Sequence, residues 1–209
     1  KNKRCGKKME RNRTILQKLK KAKLITINQQ VVLASSSKTR EVEFKKFFKK
    51  GIIVKHKINE IKEKQKNFLN AKNLAFHLAR LKAISISCDF KDKIVIGCDQ
   101  TLECNKRILS KPNSLEEAKR NLLELSGKTH KLFTCIYVLK NLREYFTEET
   151  LAELSFKTIT KKETNDYIKN NRDTALSCVG SYKIEENEKY NFIKIIKGNR
   201  EAIIGFPLK

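Results

Sequence analysis

An apolar run, Ile94-Val95-Ile96-Gly97, gives way within two residues to an acid, Asp99. The β-branched run reads as a strand buried on both faces. In an open α/β sheet, a carboxylate at the carboxyl end of such a strand stands where ligands bind. It can equally cap the turn that follows, and the local sequence supports both readings. A second stretch, "LASSSKTR", places Ser35 and Ser37 in a strand-to-helix loop, with Lys38 and Arg40 opening the helix. Free backbone N–H groups at a helix start, hydroxyls and a guanidinium suit a phosphate group. Ordinary N-capping by serine is the competing reading, and on this stretch alone the more common one. Glu60, closing a strand, and Lys82, late on a helix, read singly as surface charges. Cys98 and Cys104 flank Asp99 without the partners a thiol nucleophile needs, so they read as small core residues.

The elements that would position these residues alternate along the chain. A short buried strand over 31–34 leads through the serine loop into a helix with Val42, Phe44, Phe47 and Phe48 on its apolar side, closed by Gly51. A strand over 52–58 follows, then a helix over 73–86 with Leu74, His77, Leu78, Leu81 and Ile84 at helical spacing. After the strand that ends at Gly97, "SLEEAKRNLLELSG" has the marks of a helix: Ser114 and Glu117 fit a capping box, and Gly127 ends it. Strands are expected over 130–139 and 151–159, and a short helix over 161–170. "SCVGSYKI", "NFIKII" and "EAIIGFPL" read as a β-rich end. Strands interspersed with helices give an α/β class with a mixed sheet.

The 209 residues make one domain or two small lobes with enough chain for a core. No apolar run approaches the length of a membrane span, and no secretory signal pattern opens the chain. The expectation is a soluble, cytoplasmic protein. Six cysteines show no C-x-x-C spacing, and His56, His77 and His130 form no ligand pattern with them, which argues against structural zinc. The net charge of +24 admits a polyanion-binding surface. A solvated lysine excess is the reading favoured here, because Lys, Asn and Ile are abundant throughout and share AT-rich codons. No nucleic-acid-binding module is recognisable, so a nucleic-acid partner is not expected. Residues 1–30 carry eleven basic residues against one acid, Glu10, and are expected to form a poorly ordered basic extension ahead of a domain over 31–209.

Taken together, the motifs change the weight of each residue. "LASSSKTR", Asn59-Glu60, "ARLKA", "GCDQTL", "SKP", "LSGKTHKLFT", "VGSYKIE" and "IIGFPL" stand in the order and spacing of the Maf family of nucleotide pyrophosphatases, which the chain resembles from about residue 31 to 208. The resemblance implies an α/β fold of two lobes around a central cleft, related to the inosine-triphosphate pyrophosphatases. It implies hydrolysis of a nucleoside triphosphate between the α and β phosphates, a divalent cation (Mg²⁺ or Mn²⁺) and often a homodimer. Carried over by motif, Asp99 is the proton acceptor, and Ser35, Ser37, Arg40, Lys82 and Lys111 are phosphate-binding. Glu60 is the cleft acid, and Glu60 and Asp99 are the residues for the metal; whether Asp99 acts as base or as metal ligand stays open.

Three positions sort the branches of the family, and here they are Thr39, Gln100 and Glu185. Gln100 with Glu185 resembles the branch acting on 7-methyl-GTP. A carboxylate at 185 suits the N1–H and exocyclic amine of guanine, and 7-methylation makes that base cationic. The alternatives are a dTTP/UTP pyrophosphatase of the same family, Glu185 then facing solvent, or a basic polyanion-binding protein without activity. Two departures from the pattern stand out. "ENEKYN" (186–191) has no glycine where the family loop is glycine-rich, and the chain stops at Lys209 where a further helix is expected.

Overall fold

Val31–Ala34 forms the first strand, β1, and all four of its side chains are buried. An unbroken apolar strand needs cover on both faces. Helix α1 (Lys38–Phe47) supplies it on one side, where Val31 and Leu33 meet Phe44. Helix α3 (Ala71–Ser87) supplies it on the other, where Val32 and Ala34 meet Ala75 and Ala79. This computed structural model describes Gln17 and residues 30–208. The basic segment over 1–30 falls, but for Gln17 and Gln30, outside the described residues.

Strands β2 (Ile52–Val54) and β3 (Ile94–Cys104) run parallel to β1 on either side of it. The short β4 (Arg107–Leu109) folds back on β3, and β5 (Thr129–Lys140), β6 (Arg143–Phe156) and β7 (Ile193–Lys197) continue the sheet antiparallel. The order is β2-β1-β3-β5-β6-β7 with β4 on β3, a seven-stranded mixed sheet of the expected α/β class. Short helices α2 (Glu60–Lys64), α6 (Arg172–Ser177), α7 (Asn187–Tyr190) and α8 (Arg200–Ile204), the longer α4 (Leu115–Leu125) and α5 (Lys161–Asn170), and 3₁₀ turns at Cys88–Phe90, Val179–Ser181 and Ile184–Glu186 complete the described elements.

Hydrophobic burial divides the molecule in two. Ile94, Ile96 and Cys98 pack with Phe44, Val138 and Phe206 at one end of the sheet, and Val95 and Tyr137 pack under α3. Leu102 and Cys104, farther along the same β3, belong to a separate core with Leu122, Leu154, Phe156, Tyr167 and Tyr182. The stretch from Asp99 to Thr101 is therefore the bridge between two lobes.

Several local expectations are corrected. β3 does not stop at Gly97 but continues to Cys104; it is β1 that ends, at the pair Ala34–Gly97. Strand β2 ends at Val54, and the Asn59 side chain accepts the Lys62 N–H (3.1 Å), so Glu60 opens a helix rather than closing a strand. "SCVGSYKI" is not a strand, because Gly180 and Ser181 have φ of 73° and 66° and turn the chain. "EAII" is helix α8, capped by Asn199 and closed by Gly205 at φ 85°. Ser114 does cap α4, but Glu117 reaches back to the Asn113 N–H rather than to that of Ser114; the complete capping box belongs to Thr160 and Glu163 on α5.

Candidate active site

β3 is paired with β5 over its whole length, whereas on its other edge β1 stops at Gly97 and β4 begins at Leu102. The backbone from Cys98 to Thr101 thus has one open edge, and side chains from both faces of the sheet meet there. The Cys98 carbonyl accepts the Arg40 Nη1–H at 3.0 Å in place of a strand partner. Because side chains alternate across a strand, Asp99 projects to the α3 face and Gln100 to the opposite one.

On the α3 face, Lys82 Nζ lies 2.5 Å from Asp99 Oδ1 and 2.9 Å from Glu60 Oε1. The side chains of Lys82 and Asp99 are 5% and 8% exposed, so the ammonium is the counter-charge of a carboxylate largely out of water. Lys82 is delivered by α3, whose small residues let it lie against the sheet. A Cβ at Gly97 would stand 2.0 Å from the Ala79 carbonyl oxygen. Glu60 Oε1 also accepts from His56 Nε2 at 3.0 Å, and Oε2 is 3.4 Å from Lys64. The His56 bond first, and the Lys82 ammonium after it, hold the Glu60 carboxyl well below the usual carboxylate range despite partial burial. Sequence reasoning missed His56. Its only signal was the four-residue spacing to Glu60, which has meaning once the chain turns into α2 rather than continuing as a strand.

The opposite face opens into a cleft between the lobes, lined among others by Ser37, Thr39, Arg40, Gln100, Lys111 and Glu185. Ser37 caps α1, its Oγ accepting the Arg40 N–H at 3.4 Å, so the capping reading holds while the same residue borders the cleft. Ser35 is buried, and its Oγ accepts the Ser37 N–H at 3.1 Å; its hydroxyl shapes the loop. Arg40 donates from Nε to the Gly205 carbonyl at 3.1 Å, which with the Cys98 bond fixes its plane at the open edge. Burial alone would lower the Arg40 pKa, but nearby negative groups, Asp99 and Glu60 among them, hold it above its ordinary value. The Lys111 ammonium shifts the other way, lowered by desolvation and then by repulsion from Arg40 and Lys82. Gln100 donates from Nε2 to the carbonyls of Ala202 (2.9 Å) and Ile203 (3.2 Å) and to Thr134 Oγ1 (3.0 Å), bracing α8 against the sheet. Glu185 stands exposed on the cleft rim.

The ten residues singled out in the sequence therefore form two groups rather than one. Glu60, Lys82 and Asp99 lie on one face. Ser37, Thr39, Arg40, Gln100, Lys111 and Glu185 border the cleft on the other, with Ser35 beneath the loop. The open edge of β3 joins the groups electrostatically, and three cations, Arg40, Lys82 and Lys111, confront two carboxylates there. Such a site suits a polyanion. Among the described residues no cluster of three or more His, Cys, Asp or Glu side chains could hold a metal. Two carboxylates with hard oxygen donors do fit Mg²⁺, which takes one or two protein carboxylates and completes its shell with phosphate and water.

The chain is similar to several known proteins. A 7-methyl-GTP pyrophosphatase of Bartonella henselae is 34% identical over 85% of this chain and 90% of its own length. A nucleoside triphosphate pyrophosphatase of Pelagibacter ubique is 34% identical over 71% of this chain and 74% of its own. The solved structure of the Staphylococcus aureus Ham1 protein is similar at TM-score 0.36 and 19% identity, over 62% of this chain and 71% of that one. The family model described as Maf-like protein matches residues 30–209, and the chain belongs to the Maf family.

Proposed function

We propose that this chain is a nucleoside triphosphate pyrophosphatase, carried by residues 31–209, that cleaves the α–β phosphoanhydride to a nucleoside monophosphate and pyrophosphate. The observation that supports it most is the Glu60–Lys82–Asp99 group lying beside Arg40 and Lys111 across the open edge of β3. Phosphoryl transfer is mainly positioning and charge neutralisation. Arg40, Lys82 and Lys111 supply the cations for the phosphate oxygens, and the Ser35–Ser37 loop sets the start of α1 beneath them. Water adds to the α-phosphorus, the bond to the bridging oxygen breaks, pyrophosphate leaves, and the water's proton passes to the Asp99 carboxylate. Glu60 and Asp99 would hold a divalent cation, which when bound neutralises charge on the phosphates.

On the substrate, the reading is a modified purine such as 7-methyl-GTP. Glu185 on the cleft rim supports it, as a carboxylate suited to the guanine edge, with Gln100 and Thr39 bordering the same cleft. A cytoplasmic setting and a homodimeric state belong to the same reading. The free thiols of Cys98, Cys104 and Cys135, all buried, are consistent with a reducing compartment, and no described helix is long and apolar enough to cross a membrane.

The test is pyrophosphate release from 7-methyl-GTP, GTP, dTTP, UTP and CTP with Mg²⁺ or Mn²⁺. Asp99→Asn is expected to lower turnover by about 10²- to 10⁴-fold. A preference for dTTP or UTP would keep the enzyme and discard the role given to Glu185. Turnover unaffected by Asp99→Asn would overturn the site.

A further inference from the structure

We propose that Glu186 is a positioning residue for nucleotide selection, fixing the turn that presents Glu185 to the cleft. This rests on the role given to Glu185 above. The 3₁₀ turn Ile184–Glu186 puts three successive side chains to three uses. Ile184 is buried in the core of the second lobe, Glu185 stands on the cleft rim, and Glu186 turns away from it. The Glu186 carboxylate accepts from Thr174 Oγ1 at 2.7 Å through one oxygen and from the Tyr167 hydroxyl through the other. Tyr167 is 1% exposed on α5 and packed against Tyr190 and Phe192, so its hydroxyl is a fixed point. Burial, then the Glu186 carboxylate, pushes the Tyr167 phenol well above its usual range and keeps it a donor.

The second bond reaches the wall of the cleft itself. Thr174 lies on α6, and Ser177 at the end of that helix, with Cys178 and Val179 after it, borders the cleft. One carboxylate thus ties the Glu185 turn to the helix beside it. Beyond the turn, the Asn187 side chain brackets Ile193, donating to its carbonyl at 2.8 Å and accepting its N–H at 2.7 Å. Glu185 is held from both sides while its own side chain stays free. An exposed glutamate loses conformational freedom when it engages a base, and a backbone already fixed confines that loss to the side chain. The Tyr167 bond anchors the turn to the core behind it, and the Thr174 bond ties it to the segment that lines the cleft.

The experiment compares Glu186→Gln and Thr174→Val with the native chain on 7-methyl-GTP and dTTP, with melting temperatures measured in parallel and Glu185→Ala as reference. Thr174→Val removes one donor while keeping the shape, so it serves should Glu186→Gln fold poorly. Each variant is expected to raise KM for 7-methyl-GTP about fivefold with kcat within about twofold. The ratio of kcat/KM for 7-methyl-GTP over dTTP is expected to fall toward that of Glu185→Ala. Equal losses on both nucleotides, or no change in the ratio while Glu185→Ala changes it, would overturn the positioning role and leave the role of Glu185 intact. A ratio untouched by Glu185→Ala would overturn both.

Discussion

Lys82 is the counter-charge of two carboxylates. Its Nζ touches Asp99 at 2.5 Å and Glu60 at 2.9 Å, so its loss strands a nearly buried carboxylate. Removing one partner of a buried pair costs about 3–5 kcal/mol, more than the pair itself contributes. Lys82→Met is therefore expected to lower the urea midpoint strongly with an unchanged slope. The double variant Lys82→Met/Asp99→Asn is expected to recover part of that stability while remaining inactive. Simple additivity in denaturation curves would contradict the coupling. His56 belongs to the same hydrogen-bonded chain through Glu60 and was not legible in the sequence. A histidine between two lysines in "KHK" fits no ligand or catalytic spacing, and its partner Glu60 lies on a helix of five residues that apolar periodicity cannot reveal. Asp99 was legible because an acid so close to a β-branched run breaks the pattern. The reason first given, that the strand ends there, was incomplete: the neighbouring strand ends and leaves Asp99 beside an open edge.

At the level of elements, the distance between α3 and β3 sets the distance between Lys82 and Asp99. Gly97 governs it, since an added Cβ would meet the Ala79 carbonyl oxygen at 2.0 Å and the Ala83 nitrogen at 2.8 Å. Both obstacles are helix backbone and cannot rotate away. Gly97→Ala is expected to destabilise the fold by about 3 kcal/mol or more. In the folded fraction, it is also expected to reduce turnover by pushing Lys82 off Asp99. A melting temperature and a rate that both stay native would refute this packing argument. The same region shows why some elements were legible and others were not. β1 and the first half of β3 are apolar on both faces and stand out. The second half of β3 alternates, with Asp99 and Thr101 toward α3 and Gln100 and Leu102 away, and an apolar-run template stops before it. β6 from Arg143 to Thr150 is mostly polar, and β7 pairs only with its far end, Glu153–Phe156, so it too lacked the signature of a buried strand. "EAIIGFPL" misled in the opposite direction, because its apolar run resembles a strand although Asn199 and Gly205 mark the two ends of a helical turn.

Across the whole molecule, the excess of 47 basic over 23 acidic residues leaves acid stability exposed to self-repulsion, yet a single buried histidine imposes a separate dependence on pH. His130 is 1% exposed between Phe156 and Tyr182 in the second lobe, and its Nε2 lies 2.5 Å from the Tyr182 hydroxyl. Burial pushes its pKa down to about 4 from 6.5. A protonated ring would also carry an N–H at Nδ1, which is buried without a partner. The unfolded chain binds this proton near pH 6.5 and the folded chain only near pH 4, so between the two the unfolded state holds more protons. Stability therefore rises with pH through that window and falls on acidification, by about 3 kcal/mol in all from this one group. Tyr182 lines the cleft as well as the core. Urea unfolding of the native chain and of His130→Gln at pH 4, 5, 6 and 7 separates this group from the general charge. The variant keeps an amide for the Tyr182 hydroxyl but has no proton to take up. Its stability is expected to be lower at pH 7 and to decline less steeply toward pH 4. Parallel slopes for the two proteins would assign the acid sensitivity to self-repulsion among the lysines instead.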